Sequence, residues 1–219
     1  MTETKKLTNK ELTSSWLRWG CFGQQCYNFE IMQGLGFTES MIPIINALYP
    51  EDKEKKKEAL ERHLTYYNTE NNWGAAIAGI VASMEEEKAN GAEISDSAIS
   101  SLKAALMGPL AGIGDSLIGG TLRVIATGIV AGLCMSGSLL GPILFLLIYN
   151  IPTILLRYFG VKFGYGLGNT LISKLSEGDL MKKLTMAMAI VGLMVIGAMV
   201  AMTVAVTTPI AFNINDTAF

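Results

Sequence analysis

Residues 106–120 read LMGPLAGIGDSLIGG. Five glycines (Gly108, Gly112, Gly114, Gly119 and Gly120), Pro109 and Asp115 sit there among apolar residues. Glycine permits sharp turns and close backbone approach, and proline interrupts a helical ladder. The expectation is a bent, tightly packed segment rather than one smooth helix. It leads straight into the most apolar part of the chain. Irregular backbone at membrane depth survives only where protein buries it or a watery cavity hydrates it. Two readings stay open: close helix packing through small residues, or a stretch that lines a substrate path near the bilayer midplane.

The whole composition agrees with a membrane. Half of the 219 residues are hydrophobic and 16% are charged, against about a quarter in ordinary domains. Mean hydropathy is +0.37. A net charge of -2 gives no basic face for nucleic acid. Cys21, Cys26 and Cys134 fit neither a zinc ribbon nor a redox pair, and an odd count argues against a disulfide framework. No metal or cofactor site is expected. The polar start, MTETKKLTNKELTSS, has no apolar signal region.

Three stretches reach the roughly 20 apolar residues that a bilayer crossing needs, at about 116–135, 139–156 and 184–206. The first contains Arg123, which should face protein, water or an acid, with Asp115 as the candidate partner. Eleven of the 17 Lys and Arg residues precede the first stretch, and five lie from Arg157 to Lys183. The N-terminal part and a 157–183 loop are therefore expected in the cytoplasm, and the C-terminal end outside.

Upstream, Thr8 and Glu11 have capping-box spacing. Leu12, Trp16, Trp19, Phe22, Cys26 and Phe29 then step by three or four, one helical stripe. With two tryptophans and Arg18 it suits either an interfacial membrane helix or an ordinary core helix. Gln24, Gln25, Asn28, Glu30 and Gln33 sit close together among aromatics. Such groups bind sugar hydroxyls, although a solvated helix face gives the same spacing. Pro50 and the charges after it read as a solvated helix with i,i+4 pairs Glu51/Lys55, Asp52/Lys56 and Glu58/Arg62.

His63 is the only histidine. It could carry a phosphoryl group or act as a base, but no partner stands beside it in sequence, so a polar or structural contact is the other reading. Asn68, Asn71 and Asn72 follow near Tyr66, Tyr67 and Trp73, in a turn rich in hydroxyl-binding groups. A helix is expected over 75–90, stopped by Gly91, and another starts at Ser95 or Asp96.

Two motifs point elsewhere. Residues 114–117 spell GDSL, the label of a serine esterase family, with Ser116 as nucleophile. That chemistry needs a histidine base in reach, and no Asp-x-x-His follows. Neither Gly112–Gly114 nor Gly164, Gly166 and Gly168 follows a strand or precedes a Gly-Lys-Ser/Thr, so a nucleotide loop is not expected. The later glycines read as a turn.

Five stretches together, GQQCYNFEIMQGLGF (23–37), ERHLTYYNTEN (61–71), MEEEKANGAEISDSAI (84–99), LMGPLAGIGDSLIGGTLR (106–123) and MSGSLLGPILFLLIYN (135–150), are specific in order and spacing. They resemble the IID membrane component of the mannose-family (mannose/fructose/sorbose) sugar phosphotransferase systems. The resemblance implies a non-catalytic subunit in the bacterial cytoplasmic (inner) membrane. It would pair with a IIC subunit, in oligomers of IIC–IID protomers, to move a hexose or amino sugar inward. Soluble IIB, fed by IIA, would phosphorylate that sugar. Mannose-type members usually carry proline after the Gly-Asp and aromatics soon after. Here Ser116, Ile118, Gly119 and Gly120 stand there, which points to a sugar other than mannose. Family members also usually continue with further apolar segments, so the usual C-terminal part is expected to be short or missing.

The sequence thus predicts an all-α, polytopic membrane protein. It has an amphipathic N-terminal helix, broken or re-entrant helices and about three full transmembrane helices. Residues 1–115 form the amphipathic, cytoplasmic and re-entrant region, and 116–219 the transmembrane region. Gln24, Asn28, Glu30 and Asn68 are the candidate sugar contacts. Gly108, Pro109, Gly112, Gly114, Asp115 and Arg123 are candidates for a structural or gating role. The alternative is a scaffold or receptor subunit of the same complex that never touches sugar.

Overall fold

The computed structural model describes residues 4–175, with side chains to Gly168. Beyond them it describes helical positions Met186, Ile190, Met194, Gly197, Val200 and Ala201, and the antiparallel pair Asn213–Ile214 with Thr217–Ala218. The helices are α1 (Asn9–Phe22), α2 (Gly34–Leu48), α3 (Lys53–His63), α4 (Asn71–Ala89), α5 (Asp96–Gly114), α6 (Arg123–Met135) and α7 (Leu140–Leu175). Asp115–Leu122, between α5 and α6, is π-helical.

α1 starts where its capping box predicts. Lys10 N donates to Thr8 Oγ1 at 3.2 Å, and Thr8 N donates to Glu11 Oε2 at 2.9 Å. It stops at Phe22, seven residues before the apolar stripe does. A turn follows, and Cys26 and Met32 adopt φ of 55° and 51°, which ends helical propagation. Leu12 and Trp19 of the stripe are buried and Trp16 partly so, while Phe22 is 39% and Phe29 96% exposed. Trp19 is fully buried edge-on to Tyr67 (5.7 Å), and its indole N–H donates to Asn71 O at 2.7 Å. The helical part of the stripe up to Trp19 therefore packs on protein as a core helix does, while its end from Phe22 onward is exposed.

α3 begins later than Pro50 suggests. Asp52 is its N-cap and accepts from Lys55 N at 3.0 Å. Its ion pairs also differ: Lys55 approaches Asp52 (3.5 Å), Lys57 approaches Glu61 (3.8 Å), and Arg62 leaves the helix for α4. Gly91, at φ 97°, follows the end of α4, and Ser95 Oγ caps α5 by accepting from Ala98 N at 3.1 Å.

The break expected over 106–120 is not a break. One continuous helix runs from Asp96 to Met135 with Pro109 inside it. The interruption takes the form of the π-helical turn, which leaves carbonyls for side chains to satisfy. Ser116 Oγ donates to Gly112 O at 2.8 Å, and Thr121 Oγ1 donates to Ser116 O at 2.9 Å. Close approach occurs at Gly114, where an added Cβ would lie 2.5 Å from Glu70 Cβ. At Gly108 and Gly119 it would meet nothing within 4 Å, so among the described residues there is no tight packing there.

α7 corrects a second expectation. Instead of ending near 156 and turning at the glycines, it continues as helix to Leu175. Gly160, Gly164 and Gly168 recur every four residues and form one flat side against α4. Gly164 meets the Ala76 backbone, Gly168 meets Ser83, and from α4 Gly79 meets Val161 and Tyr165. Small residues at this spacing let two helix backbones touch. Among the described residues two helices are long and apolar enough to cross a membrane, Asp96–Met135 and Leu140–Gly168. The third expected span, 184–206, lies outside the described residues apart from the six helical positions named above.

Candidate functional site

A polar cleft of about 510 Å³ opens beside the π-helical turn. Gln24 and Tyr27 reach it from the turn after α1, and Gln33 from the start of α2. Asn68 to Asn71 line it from the segment before α4, and Asp115 and Arg123 from the long helix. The loops are held rigidly. Gln33, buried, pairs with the Thr69 backbone through both ends of its amide: Nε2 donates to Thr69 O (2.9 Å), and Oε1 accepts from Thr69 N (3.1 Å). Tyr27 OH donates to Asn68 Oδ1 at 3.2 Å.

Glu70 anchors the cleft to α4. Its carboxylate caps the helix, accepting from Asn72 N (2.9 Å) and Trp73 N (3.0 Å), where the positive dipole end favours an anion. Only a glycine at 114 lets the long helix come this close to that carboxylate. Arg123 turns to Tyr149 of α7, with NH2 3.4 Å from the phenol oxygen and the guanidinium 5.8 Å from the ring centroid. Among the described residues no ion pair joins Arg123 to Asp115. Both instead face the cleft.

The structure thus brings together Gln24, Asn68, Asp115 and Arg123 of the sequence candidates. It does not bring Asn28 or Glu30 there. Asn28 closes its own loop, with Nδ2 donating to Cys26 O (3.1 Å) and Oδ1 accepting from Glu30 N (2.9 Å) and Ile31 N (3.0 Å). Glu30 is exposed. Glu70 and Tyr27 were missed. An acid directly before an apolar helical run is a legible capping signal for Glu70, whereas nothing in the spacing marks Tyr27.

Depth follows from α7. Its exposed apolar residues begin with Leu140 and extend to Leu167, continuing the exposure of Leu139. At 1.5 Å per residue that run is roughly 40 Å, about a bilayer with its headgroups. Tyr149, and with it Arg123, sits near the middle of that length.

A second polar cluster is buried. His63 and Glu85 are both wholly inaccessible, with His63 Nε2 3.1 Å from Glu85 Oε1. The approach is poorly directed for a hydrogen bond, and neither ring nitrogen is otherwise paired. Arg62 makes a two-pronged contact with Glu85, Nε to Oε1 at 2.8 Å and NH2 to Oε2 at 3.1 Å, and also reaches Asp96. Burial pushes the His63 imidazole below its ordinary value, against the pull of the Glu85 carboxylate. Burial alone would raise Glu85, but His63 and Arg62 hold it below the usual carboxylate range. Ser116 has no histidine near it; its hydroxyl closes the π turn. The esterase reading has no geometry here.

These features fit a helical membrane protein with a polar cleft beside its two long apolar helices. The model of the PTS mannose/fructose/sorbose family IID component matches residues 6–219, and the chain belongs to that family. It is 46% identical over 199 residues to the mannose-specific EIID component of Escherichia coli K12, covering 91% of this chain and 70% of the relative. It is 41% identical to a sorbose-specific EIID component of Klebsiella pneumoniae, covering 96% and 76%. A solved structure, the cryo-EM complex of the mannose transporter ManYZ with microcin E492, contains a chain 46% identical that superposes with a TM-score of 0.83. That superposition covers 90% of this chain and 71% of the other.

Proposed function

We propose that this chain is the IID subunit which, with a IIC subunit, builds the path by which a hexose or amino sugar crosses the bacterial cytoplasmic membrane. Soluble IIB then phosphorylates the sugar, supplied in turn by IIA. The N-terminal region faces the cytoplasm, and IIC–IID protomers associate further. The observation that carries the reading is the polar cleft at mid-depth, where a spanning helix supplies Asp115 and Arg123. Amide and carboxylate groups give the paired hydrogen bonds that hydroxyls need, and Tyr27 gives an aromatic face. In the π turn the Ser116 and Thr121 hydroxyls satisfy two backbone carbonyls, which supports polar backbone at that depth.

Uptake of labelled sugar in cells carrying the intact system is the test. Asn68→Ala and Asp115→Asn are expected to lower the initial rate about tenfold or more while leaving assembly with the IIC partner intact. The exposed Glu30→Gln should leave uptake unchanged. Normal uptake by both cleft variants removes the cleft from the path.

The exposed apolar face of α6 and α7 supports a second reading, a scaffold that holds the partner and never meets the sugar. A photoactive sugar separates the two. Label on residues 24, 68 or 115 supports the path, and label confined to the partner chain supports the scaffold.

A further inference from the structure

A groove of about 440 Å³ runs between α2 and α3, away from the polar cleft. Its floor is apolar: Leu35 and Leu64 are 41% and 46% exposed, and Leu60 lies partly buried between them. Its rim is cationic, with Lys53, Lys56 and Lys57. Among the described residues Lys53 and Lys56 make no ion pair. Glu61, the one acid in the lining, approaches Lys57 at 3.8 Å with both side chains about two-thirds exposed, an arrangement worth little.

A solvated helix face explains the lysines but not the bare leucines beneath them. An acidic peptide would match the lysines, but a groove with so apolar a floor fits hydrocarbon better. The chemistry that satisfies both together is an amphiphile with an anionic head.

Position agrees. Tyr165 of α7 donates to Glu86 of α4 at 2.7 Å, near the end of the exposed apolar run of α7. The neighbouring Glu85 holds Arg62 of α3. α3 therefore stands level with one end of the lipid-facing length, where headgroups lie. Lysines concentrate on the leaflet that carries anionic lipid, and each adds about fivefold to attraction near that surface.

We propose that this groove seats an anionic phospholipid, with its acyl chain along Leu35, Leu60 and Leu64 and its phosphate on Lys53, Lys56 and Lys57. The site is independent of the sugar path and would hold the α2–α3 region against one leaflet.

Native mass spectrometry of the full chain, released from micelles doped with dioleoyl phosphatidylglycerol or dioleoyl phosphatidylcholine, tests it. Retention of phosphatidylglycerol in clear excess over phosphatidylcholine is expected. The variant Lys53→Gln/Lys56→Gln/Lys57→Gln keeps good helix formers on an exposed face. It should lose about fivefold in retention per lysine removed, while Lys10→Gln on α1 stays at the native level. Glycerophosphoglycerol, the headgroup without chains, should fail to displace the lipid at equal concentration, and Leu64→Ser should weaken retention. Equal retention of both lipids, or undiminished phosphatidylglycerol on the triple variant, overturns the proposal. It is equally overturned if the triple variant loses binding of the soluble IIB component yet keeps its lipid, which would make the groove a protein dock.

Discussion

The helices up to Met107 and the hairpin beyond Leu117 both carry long apolar runs, yet only the first region hides them. Phe37, Met41, Ile44, Tyr67, Ile77, Val81 and Leu102 are at most 1% exposed. Val124, Ile129, Leu139 and Phe163 are 62%, 58%, 81% and 69% exposed. The first region is a core in the ordinary sense, built from helices of mixed character. The second is a surface that suits lipid or another subunit. Hydropathy alone does not tell them apart, because it counts apolar residues and not what covers them.

The seam between the two regions is where α7 lies on α4, and it offers the largest effect. A Cβ on Gly164 would collide with Ala76 backbone, and backbone cannot step aside. Gly164→Val is expected to cost about 3 kcal/mol or more, seen as loss of monodisperse protein or a steep fall of Tm in detergent. Gly128→Ala, inside α6 where an added Cβ meets nothing within 4 Å, should not destabilise and should gain up to about 1 kcal/mol from helix propensity. Equal effects at the two positions would mean that the glycine stripe is not a contact.

Next comes the buried charge cluster. Glu85→Ala strips Arg62 of its main partner inside protein, which costs about 3–5 kcal/mol. Removing Glu39 from its half-exposed pair with Arg18 costs about 0–1 kcal/mol.

The same cluster sets a pH response of definite sign. His63 titrates lower when folded than its ordinary 6.5, so the unfolded chain binds its proton first. Stability is whole above about pH 6.5 and declines as pH falls below it, by at most about 1.4 kcal/mol per pH unit for one group. Glu85, also lowered, adds a loss of the same sign beginning near its ordinary 4.5. Melting curves between pH 7.5 and 5 should show that slope, and His63→Gln should flatten it.

The local signals were the legible ones. Thr8 with Glu11, Ser95 and Gly91 mark helix ends through contacts spanning only a few residues, and each stands where the spacing places it. The two long apolar helices are legible in position but not in length: the first already begins at Asp96, and α7 runs past 156 to Leu175. What failed depends on partners distant in sequence. Gly164 and Gly168 look like turn residues until α4 is laid across them. Glu85 looks like one of three surface acids until Arg62 and His63 arrive from α3. The glycines of 106–120 announce an interruption correctly, but a π turn and a chain break share one composition. Gln24, Asn68, Asp115 and Arg123 all line the cleft, but the expected pairing of Asp115 with Arg123 does not form among the described residues, because Arg123 turns to Tyr149. The place of Asn28 in its own turn was not legible, because an amide that meets a ligand and one that closes its own loop are the same residue until the backbone is seen.

The smallest effect tests the second region directly. Ile129 is more than half exposed on α6, so Ile129→Ala removes little contact within this chain. Its Tm in detergent should shift by less than about 0.5 kcal/mol equivalent, against the 2–5 kcal/mol that the same truncation costs at buried Ile77. A large loss at Ile129 would mean that a segment of this same chain covers α6, and the contrast between the two regions would disappear. A silent Ile129→Ala in the isolated chain, combined with weaker recovery of the membrane partner on co-purification, would instead identify what the exposed face is for. An apolar surface that only lipid touches tolerates truncation in both settings, whereas one that a subunit covers shows its cost only in the assembly.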